Sequence, residues 1–172
     1  MVFLIIFVFF IFVILYIYWY NKLSSSRQDV VQAWSDIDVQ LNRRHDLIPN
    51  LVRVVTAYAS HEKNILEKTT QLRTKALSLA PTDIQEKETV EKDLGENMQS
   101  LLGIAEAYPD LKANDEFLKL QQELVITEDE IASARRIYNG NVARYNILIT
   151  TFPTNIIAKL HHFIESKFFQ KV

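Results

Sequence analysis

The chain has 172 residues, 19 Lys and Arg against 21 Asp and Glu for a formal net charge of -2, no cysteine, three glycines and four prolines. That balance excludes a general nucleic-acid binder, which needs a strong basic excess to neutralise phosphates. Scarce glycine excludes a turn-rich all-β fold. The lack of cysteine removes both a thiolate nucleophile and a thiol-linked lipid anchor, and fits a reducing cytoplasm.

The chain opens on its most decisive stretch. From Val2 to Tyr20 it reads VFLIIFVFFIFVILYIYWY, without charge, proline or glycine. As a helix the run spans roughly 28 Å, the hydrocarbon thickness of a bilayer. Tyr16, Tyr18, Trp19 and Tyr20 crowd its downstream end, where amphipathic rings favour the headgroup region, and Lys22 follows. These five are the expected membrane-interface residues. Ser24 and Ser26 would suit cleavage of a signal peptide, but no basic region precedes the apolar run, and the run is longer and bulkier than a signal core. An uncleaved anchor is the favoured reading. Lys22, Arg27, Arg43 and Arg44 all lie downstream, so the positive-inside rule predicts an N-terminus outside the cell membrane and a cytoplasmic C-terminal part.

About 150 residues follow Tyr20, enough for one domain with its own core. Their composition predicts an all-α fold, with one transmembrane helix at 2–20 followed by an antiparallel up-and-down four-helix bundle over 21–151. Ser25 and Gln28 have capping-box spacing, and Val30, Trp34, Ile37 and Leu41 share one face of a first helix. Pro49 must sit in the first turn of a new helix or interrupt a continuing one. A second helix runs to about Leu79 through Ile48, Leu51, Val55, Tyr58, Ile65, Leu72 and Ala76, and Ala80-Pro81 ends it. Thr82 with Gln85 caps a third, lined by Leu94, Met98, Leu101, Ala105 and Tyr108, which Pro109 closes. Asn114 caps a fourth, with Asp115 and Glu116 against its positive end. Its stripe passes from Phe117 through Thr127 and Tyr138 to Ile149 without a phase shift, which predicts a single helix.

The tail, 152–172, begins at Phe152-Pro153, and Thr154 is placed to cap a short helix. Apolar Ile156, Ile157, Leu160, Phe163, Ile164, Phe168 and Phe169 alternate with Lys159, His161, His162, Lys167 and Lys171. The segment reads either as a lid on the bundle or as an amphipathic element at the membrane surface. Apolar residues wrap much of the helix, which favours the lid. Its place depends on Pro49: a reversal there brings the tail back to the membrane, and one continuing helix sends it away.

No motif assembles a catalytic site. His61-Glu62 begins like a zinc-protease signature, but Ile65 stands where the second histidine is required. His161 and Glu165 are four apart, and two donors are a weak metal site. No serine lies in G-x-S-x-G, and Gly95, Gly103 and Gly140 are too scattered to cradle a phosphate. No cofactor is expected. The one dense polar cluster runs from Asp36 to Asn50, and within it Asp38, Arg43, Arg44, Asp46 and Asn50 form either a structural junction or a partner-docking surface. Asp38 shares a face with Trp34 and Leu41 and needs a partner there.

The same residues carry a resemblance. AWSDIDVQLNRRHDLIPNLV (Ala33 to Val52) and YASHE (Tyr58 to Glu62) resemble the signature of the LemA family. EAYPDLKAN (Glu106 to Asn114), TEDEIASARRIYN (Thr127 to Asn139), RYN (Arg144 to Asn146) and Phe152-Pro153 extend the match over nearly the whole chain, while 85–97 looks generic. The resemblance implies a bacterial protein with one N-terminal span and an antiparallel helical bundle, and no established activity or site residues. The expected function is therefore a membrane-anchored, non-enzymatic helical-bundle scaffold or adaptor for partner proteins or membrane organisation. The alternative is a metal-dependent hydrolase using His61/Glu62 or His161/His162. The expected partners are the lipid bilayer and an unidentified protein, with self-association left open and nucleic acid excluded.

Overall fold

The computed structural model describes residues 1–80 and 83–169, and every regular element among them is helical. They are α1 (Val2–Tyr58), α2 (Lys63–Ser78), α3 (Ile84–Gly103), α4 (Pro109–Lys112), α5 (Asp115–Thr150) and α6 (Thr154–Leu160), with a 3-10 turn at Ile104–Glu106.

Helix α1 merges three segments that the sequence separates: the apolar run, the first expected helix and the start of the second. Ser25 and Gln28 therefore start nothing, and Pro49 lies inside the helix. Pro49 has no N–H, so the carbonyl of His45, four residues back, loses its helical donor. Arg73 Nε, on α2, donates to that oxygen at 2.7 Å. The proline thus leaves a socket that a second helix fills. The break falls instead at 59–62, within YASHE, and Glu62 precedes α2 without a side-chain cap.

Other boundaries divide in the same way. The expected stop at Pro81 and cap at Thr82 lie outside the described residues. Helix α3 ends at Gly103 and not Tyr108, and Pro109 occupies the first turn of α4. Asn114 caps α5 as expected, its Oδ1 accepting from the Phe117 N–H at 2.9 Å. Helix α5 is one element through Thr127, whose hydroxyl donates back to the Glu123 carbonyl at 2.7 Å. Thr154 does not cap α6; its hydroxyl donates to the carbonyls of Leu148 and Thr151. The Phe152-Pro153 peptide is cis.

The chain forms two compact units. One comprises 1–36 with 136–168, the other 37–135 with Phe169. In the first, α1 and α5 run antiparallel: Asn141 Nδ2 donates to the Asp29 carbonyl at 3.0 Å, and the Trp34 and Tyr138 rings stand 5.4 Å apart. Leu23, Val30, Ala33, Tyr138, Val142, Tyr145, Ile149, Ile157 and Ala158 are its buried apolar residues. Residues 163–168 lie along α5, held at their carbonyls by Tyr138 (Lys167, 2.8 Å) and Tyr145 (Ile164, 3.0 Å). Asn146 pairs both ways with the Ser166 backbone, at 2.9 and 3.0 Å.

In the second unit, residue numbers fall on α2 as they rise on α3, from Lys75–Glu86 to Thr69–Asn97. The same holds for α1 and α5 at Arg44–Glu128 and Arg53–Glu116, while α1 and α3 run parallel from Asp38–Lys87 to Arg44–Glu91. This alternation is the up-and-down order, with reversal at 59–62 in place of Pro49. The core gathers Ile48, Leu51, Val55, Leu94, Met98, Leu101, Phe117 and Leu124.

Candidate functional site

The second unit's apolar core carries one buried charge cluster. On α1, Leu41 and Ile48 are fully buried, and the turn between them presents Arg44 and His45 to the same side. On α3, Lys87 and Glu91 continue the stripe of Leu94, Met98 and Leu101 at steps of three and four. Arg44, 3% exposed, bonds the Glu91 carboxylate, 4% exposed, and donates to the Glu91 carbonyl at 3.0 Å. Its other terminal nitrogen reaches Glu128 on α5 at 2.7 Å, a residue 45% exposed. His45 Nε2 straddles the Glu91 carboxylate, 2.9 Å from Oε1 and 3.2 Å from Oε2. A Cβ at Gly95 would stand 3.4 Å from Arg44 Nη1, in van der Waals contact with the guanidinium.

Proximity decides the electrostatics. Burial pulls the Arg44 pKa down, but the charges of Glu128 and Glu91 outweigh it and leave the pKa raised. Burial pushes the Glu91 carboxyl up, yet the His45 hydrogen bond and the Arg44 charge hold it below its ordinary value. Arg135 on α5 is lowered, first by burial and then by the Arg44 charge, and it stacks 5.3 Å from the Phe169 ring. A cavity of about 290 Å³ opens beside the cluster, lined by both arginines, Lys92 and the carboxylates of Glu88, Glu91 and Glu128. Charges of both signs line it and the buried ones are matched, which stitches α1, α3 and α5 together without arming a nucleophile.

The five polar-junction residues separate by exposure. Arg44 is buried, and Asp38 pairs with Lys87 and accepts from Asn42 at 3.3 Å. Arg43, Asp46 and Asn50 are exposed, and none of their side chains bonds to another described residue. Sequence reasoning missed His45 and Glu91. The available signal for Glu91 was its phase, in step with Leu94 and Met98 inside the segment taken as generic.

The interface residues gather at the downstream end of the apolar run. Tyr18 meets Trp19 edge-on at 5.1 Å, and the Lys22 ammonium stands 5.3 Å from the Trp19 ring. Tyr16 Oη lies 2.5 Å from His161 Nε2, and the Tyr20 ring packs on His161 at 4.7 Å. The tail therefore comes back to the apolar run although α1 continues through Pro49, because the turn at 59–62 supplies the reversal. Residues 2–58 contain the one candidate membrane span among the described residues, and none of its apolar window is buried.

Neither histidine pair makes a metal site with its neighbours. No three His, Asp or Glu side chains converge among the described residues. His61 and Glu62 are exposed in the turn before α2, and His161 is engaged by Tyr16. The hydrolase reading finds no support in this geometry.

Helical in every regular element among the described residues, with a core stitched by Arg44 and Glu91, the molecule falls in the class of helical-domain proteins that carry one candidate membrane span. The LemA family profile matches residues 33–171, from just beyond the apolar run to the tail, and the chain belongs to that family. Protein LemA of Metamycoplasma hominis is 31% identical over 153 residues, covering 87% of this chain and 68% of the relative. Magnetosome protein MamQ 2 of Paramagnetospirillum magneticum is 26% identical over 176 residues, and MamQ of Magnetospirillum gryphiswaldense 25%. Each of those matches covers 88% of this chain and 65% of the magnetosome protein's length.

Proposed function

We propose that the chain is a membrane-anchored, non-enzymatic scaffold or adaptor that holds a partner protein at the cytoplasmic face of the cell membrane. The observation that carries the reading is the apolar run at the head of α1, none of whose window is buried, on a helix whose polar length also bears Arg43, Asp46 and Asn50. Steps of three and four put these three on one face, free of internal bonds. Arg44 and Asp38 are committed to Glu91 and Lys87, so the docking face is the outward three alone. Sidedness follows from Lys22 and Arg27.

A photo-crosslinking residue at position 43, 46 or 50 in living cells tests the reading. One discrete adduct with a second protein is expected at these positions and not at exposed Glu130 on α5, and Asp46→Lys should abolish the adduct formed from position 43. No adduct, the same adduct from position 130, or an adduct of two copies of this chain would overturn the adaptor role. For sidedness, the chain lacks cysteine, so Arg43→Cys gives a clean single thiol. An impermeant maleimide should label it only after the cells are opened.

A further inference from the structure

We infer that the tail, residues 152–164, is a second membrane-embedded element, with bilayer acyl chains covering its outer face. Helix α6 has two sides. Thr154, Ile157 and Ala158 are buried on one, and the other leaves large apolar side chains uncovered. Ile156 and Leu160 on α6 are 59% and 64% exposed, and Phe152 just before the helix and Ile164 just after it are 75% and 78% exposed. A protein in water rarely sustains such a patch unless something apolar covers it.

The neighbour identifies the cover. A groove of about 490 Å³ has Phe12, Tyr16 and Trp19 of α1 on one wall and Phe152, Pro153 and Ile156 on the other. Phe12 lies eight residues before Tyr20, about 12 Å deeper along the helix at 1.5 Å per residue. The tail's apolar face is thus continuous with the segment that enters hydrocarbon, at the level of its aromatic belt. The attachment is fixed: Tyr16 meets His161, Tyr20 meets His161 and Phe163, and Arg27 stands 6.0 Å from the Phe163 ring. Lys22 and exposed Lys159 bring cations to the headgroup level. An apolar face beside a span, edged by aromatic rings and lysines, suits an interfacial helix.

The inference rests on the anchor reading, and its test separates the two. The full chain is placed in phosphatidylcholine–phosphatidylglycerol vesicles with or without acyl-brominated lipid. One environment-sensitive fluorophore is attached to a single cysteine at Phe9, Ile156, Ile164 or Glu130. About twofold or greater quenching by brominated lipid is expected at Phe9, Ile156 and Ile164, and none at Glu130. Using Ile164 as well as Ile156 keeps the test decisive if one label disturbs α6. Quenching at Phe9 without quenching at 156 and 164 would overturn the embedded tail and leave the anchor standing. An apolar but unquenched signal at 156 and 164 would mean cover by protein and would also overturn it. Loss of quenching at Phe9 would remove both.

Discussion

Arg44 holds two carboxylates that differ greatly in exposure, and the difference sets what each contributes. Removing Glu91 would leave a guanidinium and an imidazole in the core with a half-exposed glutamate as their remaining carboxylate. Breaking a buried pair costs about 3–5 kcal/mol, and an exposed partner contributes under about 1 kcal/mol. Glu91→Ala should therefore lower the denaturant midpoint of the detergent-solubilised chain far more than Glu128→Ala, and equal effects would refute a core role for the cluster. The pH dependence has a fixed sign. Glu91 is held below the ordinary glutamate value of about 4.3, so its stabilisation is complete above that pH and is lost as pH falls through the lower folded value. Acid unfolding followed by circular dichroism should be steeper in the native chain than in Glu91→Gln. At this scale the sequence was half legible. Asp38 needed a partner and has one in Lys87, but Arg44 looked no different from its neighbour Arg43. Which of two adjacent arginines turns inward depends on the phase of α1 against α3, and that phase comes from contacts some fifty residues apart.

The elements repeat the lesson. The seam of α5 was readable because Phe117, Leu120, Leu124, Thr127, Ile131, Ala134, Tyr138, Val142, Tyr145 and Ile149 repeat without interruption, and all of them are buried except half-exposed Ala134. The turn at 59–62 was not, because YASHE holds neither proline nor glycine, while Pro49 offered a local reason to stop. A helix tolerates an interior proline when something else takes the orphaned carbonyl, and Arg73 lies 28 residues away from the His45 that it serves. The two positions should therefore be coupled. In a double-mutant cycle, Arg73→Ala should cost about 1–2 kcal/mol in the native chain and distinctly less beside Pro49→Ala, which restores the missing N–H. Additive effects in urea unfolding would show that the contact is incidental.

For the whole molecule, the proposed membrane location rests on the first twenty residues and the tail. The apolar run was legible from composition alone, since no charge interrupts it. The tail's association with that run was not, because it depends on counting reversals, and the residues around Pro49 allow either a reversal or a continuing helix. Residues 163–168 are held by Tyr138, Tyr145 and Asn146, so the tail is fixed within the unit that contains the run. Membrane attachment underlies the scaffold and the embedded tail alike. The most direct measurement is alkaline carbonate extraction of membranes from cells making the untagged chain, with the intact mass read from each fraction. The full-length protein should remain in the membrane pellet, and a soluble form shortened to begin after Ser26 would contradict the account.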